Sequence, residues 1–306
     1  MATHLAIKPR LQFWQLAVGL CVLAYLALGI LTHTLKTYHW FLLLAIPGAL
    51  FAAERGRRFF IDWLPLFAFW LGYDRLRLVQ PHLLSRVVVE APYQLEAWLF
   101  GWLFAGEVPP HALRIWLATN SQQFFAQAIL LSAQLIYFSH IFIFPLLMLF
   151  WWLKSVWFGA SREIFARHLR AFTILNALAI LTYLLLPVAP PWWVSLYGNA
   201  QPNAELVAQT NMAMAMDGAL VQKMIGTAPM WFGAVPSLHG AYPVLFFLLA
   251  LRQRNFSLLT GIVVYGLAMW FSTVVLNQHY IIDLFAGAIL AFAAYRLGER
   301  LSRRFR

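Results

Sequence analysis

Charge is what this chain has least of. Asp, Glu, Lys and Arg make up 11% of its 306 residues, against about a quarter in soluble domains. That scarcity excludes an ordinary water-soluble globule. Cysteine is nearly absent too: Cys21 stands alone inside an apolar run, so no intrachain disulfide can form and the redox compartment is not legible. Without thiolates, a zinc site would have to be assembled from two His and one Asp, a thin ligand set. Low-complexity tracts and internal repeats are missing. No small-residue cleavage site follows the first apolar run, Leu11 to Leu31, so that run is expected to span a membrane rather than to be removed.

What is present is hydrophobic and aromatic. Apolar residues reach 62%, with 14 Trp, 26 Phe and 11 Tyr, and the mean hydropathy is +0.70. This composition predicts an all-α polytopic membrane protein with aromatic belts at two interfaces. The net charge of +11 fits basic cytoplasmic loops and anionic headgroups, and no nucleic-acid partner is expected. Spans of about 20 apolar residues are predicted at about 12–32, 39–53, 59–73, 123–152, 170–187, 239–251, 257–276 and 279–297, eight in all. The second, third and sixth are short. Tyr93–Phe104, with Trp98 and Trp102, reads as an interfacial amphipathic helix. Residues 188–237 form the longest loop, where Pro187, Pro190 and Pro191 end the preceding helix. The chain divides into N-terminal transmembrane helices (1–54), a membrane domain (55–298) and a basic tail (299–306).

With a cytoplasmic N-terminus, 16 of the 22 Lys and Arg residues fall on the cytoplasmic side, as the positive-inside rule requires. The C-terminus is then cytoplasmic as well, and Arg300–Arg306 reads as a topology anchor. Short loops and compact size point to a bacterial inner membrane rather than a Golgi membrane.

Two stretches carry candidate chemistry: Pro236-Ser237-Leu238-His239 and His279-Tyr280-Ile281-Ile282-Asp283. Each begins a span running inward, so both open on the outer face. His279 and Asp283, four residues apart, share one helix face. The carboxylate can accept the Nδ1 proton, leaving Nε2 with its lone pair outward. His279 is thereby a candidate nucleophile toward phosphorus. His239 is a candidate general acid for a departing alkoxide, then general base for an incoming hydroxyl. Ser237 stands where a helix N-cap would, turning the first amides and the helix dipole toward a phosphate. Neither metal nor cofactor is expected. The plain alternative, histidines satisfied as structural groups, weakens when both motifs open on one face.

These residues resemble the type 2 phosphatidic acid phosphatase superfamily. Pro236–His239 is similar to its second motif, P-S-x-H. Ser272-Thr273-x5-His279-x3-Asp283 resembles its third, S-R-x5-H-x3-D, with Thr273 in place of arginine. The first motif, K-x6-R-P, is absent. Thr273, Phe232-Gly233-Ala234, Pro190-Pro191-Trp192-Trp193 and Asp62-Trp63-Leu64-Pro65 resemble the inositol phosphorylceramide synthase branch, and the resemblance covers roughly residues 55–298. It implies a six-helix catalytic core and metal-free phosphohistidine chemistry. It also implies membrane-lipid partners: phosphatidylinositol as donor and a ceramide-like lipid alcohol as acceptor. His279, His239 and Asp283 would be nucleophile, acid–base and orienting carboxylate. A diester donor carries one negative charge where a monoester carries nearly two, so loss of the motif arginine suits a diester; Arg75, Arg77, Arg86, Arg114 or Lys223 could also replace it.

Further substrate-binding candidates are Ser237, Thr273, His140, Asp62, Asp74 and Arg75. His140 lies in an apolar run and could line a substrate cavity or make an interhelical hydrogen bond. Asp62, Asp74 and Arg75 could hold headgroup hydroxyls or pair with one another. Met212, Met214, Met216, Met224 and Met230 crowd the long loop, fitting a lid over acyl chains or an interfacial helix. Three functions compete. One is a lipid phosphotransferase. Another is a lipid phosphatase acting on phosphatidate or a polyprenyl diphosphate with the same residues. The last is a transporter or scaffold that keeps the fold alone.

Overall fold

The computed structural model describes residues 13–36, 39, 43, 54–216 and 228–304. Among them the chain is all-helical apart from isolated β-bridges. In order, the helices are α1 (Phe13–Leu31), α2 (Glu54–Leu83), α3 (Glu90–Phe100), α4 (Pro109–Thr119), α5 (Phe124–Trp157), α6 (Arg162–Leu185), α7 (Pro191–Tyr197), α8 (Ala204–Met216), α9 (Leu238–Gln253), α10 (Phe256–Val275) and α11 (Ile281–Arg304).

Helix is the outcome composition dictates, because apolar segments in lipid must satisfy their own backbone groups. Among the described residues, α1, α5, α6, α10 and α11 are long and apolar enough to cross a membrane. Seven of the eight expected spans coincide with helices; the span at 39–53 lies almost wholly outside the described residues. α2 carries too many charges to pass as a simple span. α9 has only 16 residues, about 24 Å of helix. Its Ala241, Leu245, Leu249 and Ala250 are fully or almost fully buried by neighbouring helices. The loop expected at 188–237 contains α7 and α8. Pro191 opens α7, a position where a missing N–H costs nothing.

The chain forms two compact units, residues 1–68 and 69–306. In the first, Phe59 stacks on Trp63 with ring centroids 5.4 Å apart, and Trp14 meets Phe60 at 5.8 Å. In the second, α9 packs against α6, α10 and α11, and α5 against α6 and α10, while the end of α2 joins them through Phe69 and Phe172. Ile289 and Leu267, 71% and 65% exposed, face outward as lipid-contacting side chains do.

The bundle of the second unit has two unlike ends. At one, Glu299 pairs with Arg252 at 2.7 Å and Arg167 at 3.1 Å, and Ser161 caps α6. At the other, α3, α4 and α7 close over the bundle. There Val188 bridges Val88 and Gly233, joining three loops. The Pro-Pro-Trp-Trp and Phe-Gly-Ala segments line this end. Trp193 and Phe232 are completely buried and meet edge to face at 5.2 Å. The Tyr183 hydroxyl donates to Pro236 O at 2.8 Å, which holds the start of α9 in place.

Candidate active site

His239 and Asp283 come from the first turns of α9 and α11, whose backbones touch. A Cβ on Gly240 would lie 2.7 Å from Leu284 Cα, and one on Gly287 2.2 Å from Ser237 O. Only hydrogen fits at either point, so the glycines set how closely the two helices approach. Ser237 caps α9, its Oγ accepting from Gly240 N at 3.2 Å, and its own N–H donates to Asp283 O at 3.1 Å.

The turn at 276–280 brings the second histidine in. Asn277 adopts φ +59°, a left-handed conformation that asparagine tolerates. Thr273 O then accepts from Gln278 N at 2.9 Å and His279 N at 3.4 Å. His279 Nδ1 faces Asp283 Oδ2 at 3.4 Å, and its Nε2 faces His239 Nδ1 at 3.1 Å. Asp283 is completely buried and also accepts Tyr280 N at 2.9 Å. A carboxylate so placed fixes the His279 tautomer with the proton on Nδ1. The Nε2 lone pair then points at the second imidazole. Tyr137 stacks on His239 at 4.6 Å, and His140 meets it edge-on at 4.2 Å. His239 Nε2 is buried without a partner among the described residues.

His239, His279 and Asp283 thus come together, with Ser237 and His140 beside them. Thr273 is buried, and its hydroxyl donates to Trp270 O of its own helix at 2.8 Å. Asp74 pairs with Arg77 and, at 3.9 Å, with Arg75. Asp62, in the first unit, pairs with Arg58 at 3.7 Å. Arg86 donates to Leu185 O at 2.9 Å, at the end of α6. Lys223, Met224 and the side chains of Met214 and Met216 lie outside the description. Met212 is exposed and Met230 is buried in the core. Among the described residues no group of three His, Cys, Asp or Glu side chains is arranged to hold a metal ion.

Two contributors were not singled out from sequence. Glu96 on α3 is completely buried, and its carboxylate accepts Ile281 N at 2.8 Å and Ile282 N at 3.1 Å. It satisfies the first amides of α11 from outside that helix, the service a cap normally performs. Burial, reinforced by the nearby Asp283 charge, pushes its carboxyl up to about 7 against the pull of those two amides. The signal was legible: Pro92 and Glu96, four residues apart, share the buried face of α3, while Trp98 is exposed. The other is Asn277, whose Nδ2 donates to Ser195 Oγ of α7 at 2.9 Å.

A helical membrane bundle with two imidazoles and a carboxylate gathered at one end defines a class of polytopic membrane proteins. Within it the chain belongs to the PAP2 superfamily, matched over residues 110–297, more than half its length. It is 31% identical to an inositol phosphorylceramide synthase of Candida albicans over 41% of this chain and 27% of that protein. It is 25% identical to a phosphoinositol dihydroceramide synthase of Bacteroides thetaiotaomicron over 84% of this chain and 83% of that one. Likeness to the inositol phosphorylceramide synthase catalytic subunit of Saccharomyces cerevisiae is 29% over 40% of this chain and 31% of the relative. The chain therefore spans about a third or less of the fungal relatives and most of the bacterial one. No solved structure matches it.

Proposed function

We propose that this protein is a lipid phosphotransferase that moves phosphoinositol from phosphatidylinositol to a ceramide-like lipid alcohol. The observation that carries the reading is the line Asp283–His279–His239, with gaps of 3.4 and 3.1 Å. It sits in a membrane bundle whose relatives are named for phosphoinositol and ceramide chemistry. The two facing nitrogens part to admit phosphorus. His279 Nε2 then attacks, and the bond from phosphorus to the diacylglycerol oxygen breaks. His239 gives its Nδ1 proton to that oxygen, leaving phosphoinositol on His279. Next, His239 takes the proton of the acceptor hydroxyl, whose oxygen attacks phosphorus and releases His279. Asp283 holds the Nδ1 proton throughout and offsets the positive charge on the phosphorylated ring.

Electrostatics favour a diester. Arg75 and Arg77 pair with Asp74, and Arg86 donates to Leu185 O, while the dipole of α9 with its Ser237 cap adds a positive influence beside His239. We place both termini on the cytoplasmic side, the histidines on the outer side, the catalytic domain at 55–298 and the membrane in a bacterial inner envelope. The test is incubation of purified protein with labelled phospholipids and candidate lipid alcohols. Label from phosphatidylinositol is expected on a new lipid. Free inorganic phosphate as the labelled product would overturn the reading in favour of a phosphatase.

A further inference from the structure

Beside the catalytic turn, α3, α4 and α7 border an open cavity of about 310 Å³ that the phosphoryl chemistry does not use. Its lining includes Tyr93, His111, Ser195 and Asn199, with Val108 and Pro191 as apolar walls. None of its described lining residues is Lys, Arg, Asp or Glu. We propose that this cavity receives the uncharged polyol ring of the donor headgroup and so sets donor selectivity. The proposal rests on the phosphotransferase reading and extends it to the substrate's polar end.

Placement is the first support. The cavity is tied to the 277–282 segment from two sides. Ser195 in its wall accepts from Asn277 Nδ2 at 2.9 Å, and Asn277 lies two residues before His279, at most about 7 Å of chain. Tyr93, in another wall, is three residues from Glu96 on α3, and Glu96 holds Ile281 and Ile282. A ring joined to phosphorus through a single ester oxygen must lie in this neighbourhood.

Chemistry is the second. A hydroxyl from Tyr93, an amide from Asn199 and a ring nitrogen from His111 can each serve a hydroxyl group. Glu107 Oε2 lies 2.8 Å from His111 Nδ1. A proton held there leaves Nε2 as an acceptor. Without Lys or Arg in the lining, a second phosphate would find no permanent counter-charge there. The volume sits at the bottom of the range of about 300–1,000 Å³ for small-molecule sites, enough for one compact ring and too small for paired acyl chains.

The test uses the full-length protein in detergent, with water-soluble headgroup probes and calorimetric binding. Wild type is expected to bind glycerophosphoinositol at least about tenfold more tightly than glycerophosphoethanolamine. Asn199→Ala and Tyr93→Phe should each shrink that preference roughly threefold to tenfold, the worth of one lost hydrogen bond. His279→Asn should leave it in place. Asn199 is exposed, so its variant carries little folding risk, and circular dichroism checks both. No preference in wild type, or an undiminished preference in both variants, overturns the proposal. If labelled phosphoinositol is transferred while the variants keep full selectivity, the cavity assignment fails and the transferase reading stands. If the variants erase the preference but no lipid is ever labelled, the cavity stands and the transferase reading fails.

Discussion

The carboxylate of Glu96 holds the backbone N–H of Ile281 at 2.8 Å, two residues after His279 in a motif that begins outside helix α11 and ends at Asp283. Replacing one charge-assisted hydrogen bond here is worth about 1.5–3 kcal/mol, so Glu96→Gln should lower kcat roughly tenfold to a hundredfold with KM little changed. Glu96→Ala, which leaves both amides unserved, should lower it further. The pH dependence has an identifiable sign. The folded-state value of about 7 stands above the ordinary 4.5, so the folded protein binds this proton more tightly than the unfolded chain. The Glu96 contribution to stability is therefore fully present below about 4.5 and lost as pH rises through about 7. Activity should run the other way, because the protonated carboxyl is a poorer partner for two amides. Thermal melts and rate profiles between pH 5 and 8 check both trends, and in Glu96→Gln both should flatten.

Asp283→Asn should cut turnover by about 10²–10³-fold, the usual range for loss of one electrostatic stabiliser, without unfolding the protein. Asp283 Oδ2 serves both His279 Nδ1 and Tyr280 N. An amide oxygen in that position still accepts from both donors, so the turn survives. What is lost is the negative charge that, in the proposed mechanism, would stabilise a phosphorylated, positively charged imidazole. Single-turnover rates alongside helical ellipticity separate the two effects, and wild-type rates in the variant would remove Asp283 from the mechanism.

Activity should persist in millimolar EDTA. Asp283 Oδ2 is taken by His279 Nδ1 and Tyr280 N. Around them, no group of three His, Cys, Asp or Glu side chains among the described residues is arranged to hold a metal ion, and a site with fewer ligands would lose a divalent ion to a chelator. Inactivation by EDTA, reversed by adding Zn²⁺ or Mg²⁺, would require a different chemistry.

The parts of the fold read from sequence were those governed by solvent. Apolar runs such as 123–152 and 257–276 coincide with α5 and α10 to within a residue at the start of one and the end of the other, because lipid leaves the backbone no other way to satisfy itself. Local spacing also placed His279 with Asp283 and Ser237 at the head of α9, since both relations span four residues or fewer. Long-range contacts were not legible. The pairing of His239 with His279 crosses 40 residues and that of Glu96 with Ile281 crosses 185, and no periodicity encodes such distances. The four residues 190–193 and the three residues 232–234 carried a resemblance but no physical role. In the fold, Trp192, Trp193 and Phe232 share a buried cluster with Tyr183, whose hydroxyl holds Pro236 O at the start of α9.

Gly287→Ala should be among the most damaging single-methyl additions in this protein. The new Cβ would stand 2.2 Å from Ser237 O and 3.1 Å from Ala241 N, and these are backbone atoms of a capped first turn that cannot rotate away. Adding a methylene to a packed interior usually costs about 1–3 kcal/mol, and a rigid obstacle places this site at or above the upper end. Relief by moving α9 from α11 would shift His239 relative to Asp283, so activity should fall more steeply than stability does. Gly261→Ala is the matched comparison, with no atom within 4 Å of its Cβ on helix α10. There the better helix propensity of alanine should leave stability unchanged or raise it by up to about 1 kcal/mol. Melting temperatures in detergent with transfer rates for both variants decide the matter. Equal tolerance at the two glycines would mean that α9 and α11 are not in backbone contact where the histidines meet.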